Sequence, residues 1–457
     1  MRQNKQVELN LGTGATGEAR RAATQGTEAR AAKTDPESRA AERPLMERVV
    51  ERDNLKKALA QVRRNKGAPG IDGMTIDDLG PYLKNHWLTI RSQLLEGIYK
   101  PQPVRRVEIP KASGGTRPLG IPTVLDRFIQ QAAMQVLQED WDGSFSEHSL
   151  GFRPGRSAHQ AVALAQSYVG EGYGWVVDID LEKFFDRVNH DILMGLVAKR
   201  VADKRVLKLI RGFLTAGVLM DGLVSPTEEG TPQGGPLSPL LSNLMLDELD
   251  KELEKRGHRF VRYADDCNIY VRSTKAGERV MAGIERFLAK RLKLKANKAK
   301  SAVARPKVRK FLGFSFTGGK KSKRRIAPQA LDRFAAKVRE LTRRTRGQSL
   351  EQIVKGLSRY LNGWRGYFGF CETPSVLREL DRWTRRRLRA IAWKQWKRGR
   401  TRFAELRRRG IGTALAAQTA GSPHGPWRIS KSPALHMALP VAFWRALGLP
   451  SLGPDPA

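Results

Sequence analysis

The stretch His258-Arg259-Phe260-Val261-Arg262-Tyr263-Ala264-Asp265-Asp266-Cys267-Asn268-Ile269-Tyr270-Val271-Arg272 decides how this chain is read. Phe260-Val261 and Ile269-Tyr270-Val271 are strand formers on either side of a short polar step. The segment therefore predicts a hairpin, with strands over 258–262 and 268–272 and with Asp265 and Asp266 at its tip.

A second apolar piece, Gly174-Trp175-Val176-Val177-Asp178-Ile179-Asp180-Leu181, carries two more carboxylates near its end. The two-residue period of a strand puts Asp178 and Asp180 on one face. Carboxylates beside such strands are costly unless they are paired or bind a cation. Three of them from two adjacent strand ends would make an oxygen-lined pocket suited to Mg²⁺. A pair of such ions about 3.5–4 Å apart can activate a 3′-hydroxyl and stabilise leaving pyrophosphate, which is the chemistry of nucleotide polymerisation.

Outward from these pieces, residues 70–318 alternate helical and strand-like segments, an α+β pattern with a further strand over 104–109. Leu45, Val49, Leu55, Leu59 and Val62 recur at helical intervals, and that helix ends before the turn-forming run Asn65-Lys66-Gly67-Ala68-Pro69-Gly70. Residues 1–43 hold almost no large apolar side chains and are expected to be disordered. Beyond residue 319 the composition turns basic, with 11 Lys or Arg between 320 and 346 against Asp332 and Glu340. Ile353, Val354, Leu357, Leu361 and Trp364 then predict an amphipathic helix, and a second, basic helical run spans 381–409. The tail after Gly410 is punctuated by Gly, Pro and Ser and reads as a small, poorly regular appendage.

The 457 residues contain 83 Lys plus Arg against 46 Asp plus Glu, a formal charge of +37. A solubilising surface mixes both signs, so this excess points to a polyanionic partner, nucleic acid above all. Only Cys267 and Cys371 are present and neither lies in a CxxC pair, which argues against a structural zinc site or a disulfide framework. No apolar run approaches the roughly 18 residues of a membrane span, so a soluble, intracellular protein, without a membrane association or an evident protein partner, is expected.

Tyr263-Ala264-Asp265-Asp266 resembles the YxDD signature of reverse transcriptases, and Asp180-Leu181-Glu182-Lys183-Phe184-Phe185-Asp186 resembles their first palm motif. Residues 65–73, Ile109-Pro110-Lys111 with Arg117-Pro118-Leu119-Gly120-Ile121-Pro122, Gly151-Phe152-Arg153-Pro154-Gly155-Arg156-Ser157 and Thr231-Pro232-Gln233-Gly234-Gly235-Pro236 follow in order. Together they resemble the group II intron reverse transcriptase/maturase family over about 45–396, in the branch without an endonuclease. The resemblance implies a right-hand polymerase with fingers and palm over 44–318, a helical thumb or maturase domain over 319–410, and a DNA-binding tail over 411–457.

It further implies that Asp180, Asp265 and Asp266 are catalytic and, with Leu181, form the set that binds two Mg²⁺ ions, with Mn²⁺ as a substitute. Asp180 is preferred over Asp178 because its spacing to Phe185 matches the family's catalytic Asp and sugar-sensing aromatic. Phe185 would exclude a 2′-hydroxyl, whereas Phe184 reads as core. Lys111, Arg117, Gln233 and Gly234 would hold the incoming dNTP. Arg153 and Arg156 would grip template phosphate or brace the fingers; Arg385, Arg386, Arg389 and Lys394 would lie along nucleic acid. His148 and His159 read as structural. The implied partners are group II intron RNA, an RNA template with its DNA primer, and target DNA.

Overall fold

A computed structural model describes residues 44–110, 115–220, 223–225, 229–231, 234–318, 321–343 and 347–454. The disorder expected for 1–43 falls outside the described residues. Among the described residues ten strands form three sheets, and the central one sets the site. It consists of β3 (Trp175–Ile179), β6 (Arg259–Tyr263), β7 (Asp266–Val271) and β8 (Ala302–Ala304) in the order β6-β7-β3-β8. All neighbours are antiparallel, and the predicted hairpin is the β6–β7 pair.

Alternation along β3 explains how the sheet is buried. Val177 and Ile179 enter the main core with Phe260, Cys267 and Ile269, beneath the helices Ser238–Lys255 and Thr274–Phe287. Val176 enters a second core on the other face, with Tyr270 and with Ala161, Ala165 and Tyr168 of the helix Ala158–Gly170. A sheet covered on both faces is built from nearly continuous apolar runs, so the carboxylates interrupting them stand out.

A second sheet joins β1 (Val104–Pro110) and β2 (Thr116–Ile121), antiparallel, to β4 (Val218–Met220) and β5 (Leu223–Ser225), with β1 and β4 parallel. β9 (Phe314–Phe316) and β10 (Arg324–Ile326) form a small hairpin that leads into the helical C-terminal region.

That region has its own core. The helix Leu350–Phe368 opens on a capping box in which Ser349 and Gln352 satisfy each other's backbone N–H groups, a device that contributes about 1 kcal/mol. Phe334, Trp364, Leu388 and Trp393 meet in its interior. The basic run predicted over 381–409 is two helices, Pro374–Gln395 and Gly399–Arg408, because Lys397 adopts a left-handed conformation (φ 44°) between them.

The tail is not an appendage. Four short helices follow Gly410, and Leu435, Leu439 and Trp444 are fully or almost fully buried in the same core as Trp393. Their spacing carries no long helical period, so the sequence gives no amphipathic signal. Asp381 fixes the end of the chain: its buried carboxylate accepts hydrogen bonds from the N–H groups of Leu452 (3.0 Å) and Gly453 (3.1 Å) and from Ser451 Oγ (3.1 Å). Removing it strands these donors. Asp381→Ala is expected to lower the unfolding free energy by about 2 kcal/mol, measured by urea denaturation; wild-type stability would show that the tail docks without this anchor.

Candidate active site

The β3–β7 register pairs Ile179 with Cys267, and the β6–β7 register pairs Tyr263 with Asp266. Asp180, the next residue after β3, therefore falls beside Asp266, with Asp265 in the turn between β6 and β7. Going inward on this face, Asp178 lies opposite Asn268 and Val176 opposite Tyr270. The sheet thus delivers Asp180, Asp265 and Asp266 to one end.

Their electrostatics differ. Asp178 is claimed by Arg309, whose Nε and Nη2 lie 2.8 and 2.6 Å from its Oδ2. Among the described residues Asp180 has only Lys300 as a cationic partner, 3.6 Å away and well exposed, while its backbone is held by Ser301 Oγ and by the Asn297 N–H. Asp266 has no cationic partner at hydrogen-bond range among the described residues; surrounding protein and then the charges of Asp265, Asp178 and Asp180 push its pKa up to about 6. Asp266 is exposed at the strand end, and the crowding of like charge around it comes from Asp265, Asp178 and Asp180. Excess negative charge of this kind suits a bound cation.

Among the described residues no group of three or more His, Cys, Asp or Glu side chains is arranged to hold a metal ion. An open site is what Mg²⁺ favours, since it keeps waters and substrate oxygens alongside one or two carboxylates. The residues present fit such an ion. Leu181 is buried in the core, so only its backbone could take part.

Asp265 and Asp266 line a cavity of 730 Å³ together with Phe185, Gly234, Arg127 and Gln131. The first palm motif shapes one wall through a left-handed Lys183 (φ 48°) and a short 3-10 turn over Phe184–Asp186. This turn buries Phe184 at 2% exposure and leaves Phe185 on the cavity side, its ring packed edge-on against Phe184 at 5.2 Å. Gly234 (φ 140°) is required by close approach, since a Cβ there would lie 2.6 Å from the Gly120 carbonyl oxygen of β2.

The turn itself is braced from behind. Ala264 is left-handed (φ 58°), a costly conformation for a residue with a Cβ. Its carbonyl accepts from Arg262 Nη1 at 3.0 Å. The same guanidinium donates to Asp250 from Nε (2.8 Å), to Asn243 Oδ1 (3.0 Å) and to Ser149 Oγ (2.6 Å), and both Arg262 and Asp250 are completely buried. Burial works against the Arg262 cation, but Asp250 more than offsets it and holds its pKa above the ordinary value. Asn243 also donates to the Gly151 carbonyl (2.8 Å), and a Cβ on Gly151 would sit 2.2 Å from Ala264 N. Sequence reasoning missed this network, and missed Arg127 and Gln131 in the cavity wall; a charge between Val261 and Tyr263 was the available signal for Arg262.

Lys111 and Gln233 lie outside the described residues; Arg117 stands in β2 opposite Ile109, its side chain likewise undescribed. Of the two readings of Arg153, template grip or brace, its contacts fit the brace. Its guanidinium is buried and spent on Asp142 (2.8 Å) and on the carbonyls of Ser146 (2.6 Å) and Ser149 (3.0 Å), so it braces its own loop. Arg156 is paired with Glu147 near the surface. His148 lies against Phe260 and Tyr168, and His159 stacks on Phe370 at 4.6 Å while bonding to the Tyr367 carbonyl. Arg385, Arg386, Arg389 and Lys394 are all on the helix Pro374–Gln395, remote in sequence from the cavity.

A carboxylate-tipped hairpin beside a carboxylate-ended strand, opening on a cavity with an aromatic wall, defines a template-directed nucleotide polymerase. Residues 109–316 match the reverse transcriptase (RNA-dependent DNA polymerase) family, and residues 331–410 match the group II intron maturase-specific domain. The chain belongs to the group II intron reverse transcriptase/maturase family. It is 37% identical to Protein YkfC of Escherichia coli (strain K12) over 56% of this chain and 76% of that protein. It is 42% identical to the group II intron-encoded protein LtrA of Lactococcus lactis subsp. cremoris, over 41% of this chain and 31% of LtrA. The chain thus matches less than a third of LtrA's length. Among solved structures, a partial Cas6-RT-Cas1–Cas2 complex overlaps 55% of this chain and 43% of its own at 24% identity and a TM-score of 0.36. Reverse transcriptases work with divalent metal ions. No helix among the described residues is long and apolar enough to cross a membrane.

Proposed function

We propose that this protein extends a DNA primer on an RNA template with Asp180, Asp265 and Asp266 as its metal-holding carboxylates, and that it binds a group II intron RNA to assist splicing and insertion into target DNA. The observation that carries the reading is the meeting of Asp265 and Asp266 with Phe185 and Gly234 around one cavity. Bound there, two Mg²⁺ ions, or Mn²⁺ in their place, supply activation of the primer 3′-hydroxyl and charge stabilisation of the departing pyrophosphate.

The protein's own residues do the rest. Asp178, neutralised by Arg309, stiffens β3 beneath Asp180 and leaves Asp180 as the cation-facing carboxylate. Gly234 and β2 form the floor against which a nascent base pair lies. Arg127, partly freed from solvent and anchored to the Ala68 carbonyl at 2.6 Å, presents positive charge to a triphosphate. Lys111, Arg117 and Gln233 belong to the same proposal as dNTP contacts, and Arg156 as a template-side contact. The net charge of +37 supplies sequence-independent attraction to the template, the intron and the target.

Primer extension with purified protein, an RNA template, an annealed DNA primer, dNTPs and Mg²⁺ tests the reading directly: no product in any metal sinks it. The same assay tests the sugar gate. Phe185→Ala is expected to reduce discrimination against ribonucleotides by roughly 10- to 100-fold, read from relative kcat/KM for dNTP and NTP. Unchanged selectivity would transfer the gate to another residue.

A further inference from the structure

The C-terminal core holds a second cavity, of 670 Å³, built where the helix Pro374–Gln395 meets the tail. Arg382, Arg385, Arg386 and Arg389 line it from the helix at i, i+3, i+4 and i+7, one continuous face. Lys431 and His436 line it from the tail, and Glu379 is the only acidic residue among the described lining.

Arg389 is the unusual member. It is only 7% exposed, and its one hydrogen bond among the described residues runs from Nε to the Ser430 carbonyl at 3.0 Å. No carboxylate among the described residues pairs with it; burial, then Arg385 and Arg386, push its pKa down to about 10. The tail is what buries it, through Ser430, while Arg386 lies over the Trp427 ring at 3.8 Å and is thereby held in place. A buried cation facing other cations is costly unless an anion completes the site. A guanidinium offers two parallel N–H donors to phosphate, and Arg389 has both terminal nitrogens to spare.

We propose that this cavity is a phosphate socket, in which Arg389 takes one backbone phosphate of a bound nucleic-acid strand while Arg382 and Lys431 neutralise the charge at its rim. That the anion comes from nucleic acid rests on the polymerase and maturase reading above; that an anion site exists does not. The tail over 426–441 is then half of a binding site rather than a structural cover.

The full chain, the Arg389→Met variant and the exposed-rim variant Lys431→Gln are compared in two measurements. The first is thermal melting with and without inorganic phosphate. The second is fluorescence anisotropy with labelled single-stranded RNA and duplex DNA across a salt series. Arg389→Met is expected to raise the ligand-free melting temperature by a few degrees and to abolish stabilisation by phosphate. It should weaken strand binding about tenfold and make the log–log salt slope shallower by about one. Lys431→Gln should weaken binding about threefold without changing the fold. Loss confined to RNA or to DNA identifies the strand; equal loss means the socket reads phosphate alone. Wild-type affinity and slope in both variants, or a lowered melting temperature with phosphate still protecting Arg389→Met, would overturn the socket. Phosphate protection with unchanged strand binding overturns its assignment to nucleic acid. Primer extension by the wild-type chain reports on the polymerase reading separately.

Discussion

Asp265→Ala is expected to abolish cDNA synthesis, by at least about a thousandfold in kcat, while leaving RNA affinity within a few-fold. The two outcomes separate because they draw on different parts of the protein. In the proposed reading catalysis uses the carboxylates gathered at the ends of β3 and β7, whereas RNA affinity comes from many phosphate contacts spread over a surface of high positive charge. Asp265 also adds to the crowding that raises Asp266. Its removal takes away repulsion and no hydrogen bond that the turn depends on, since the turn is held through the Ala264 carbonyl. The variant should therefore melt at or slightly above the wild-type temperature. A folded Asp265→Ala protein that still copies RNA at the wild-type rate would remove Asp265 from the site.

What the sequence reveals about this site follows from where burial forces a pattern. The three central-sheet strands over 175–179, 259–263 and 266–271 are legible because both sheet faces demand apolar residues, and the hairpin tip is legible because Asp265 and Asp266 break that demand. Phe184 and Phe185 separate cleanly into core and cavity. Guanidinium groups are another matter. Arg153 and Arg156 look alike in sequence, yet one is sealed among carbonyls and the other sits near the surface; only the fold decides which donors are already spent. The tail is illegible for a related reason. Its helices are four to eight residues long and punctuated by Pro and Gly, so burial of Leu435 and Trp444 leaves no period to detect. The short strands β4, β5 and β8, each three residues long, give too few alternations to register.

Asp250→Ala should be the most destabilising single change near the Asp265–Asp266 turn, costing about 3–5 kcal/mol, because it leaves Arg262 charged and buried without its counter-ion. A buried ion pair replaced as a whole by apolar residues is frequently neutral or stabilising. The double variant Arg262→Met/Asp250→Leu is accordingly expected to recover most of the stability lost by Asp250→Ala. It should not recover polymerisation. Without the Arg262 guanidinium nothing ties the Ala264 carbonyl, Asn243 and Ser149 together, and the left-handed Ala264 loses the contact that holds its unfavourable backbone. Asp265 and Asp266 then sit on a turn free to relax, and a displacement of about 1 Å is enough to cost on the order of a hundredfold in rate. Urea denaturation and primer extension on the same preparations measure the two effects, with stability and activity moving apart. If the double variant regains both, the Arg262 network serves folding alone, and the placement of the Asp265–Asp266 turn must come from the sheet register between Tyr263 and Asp266.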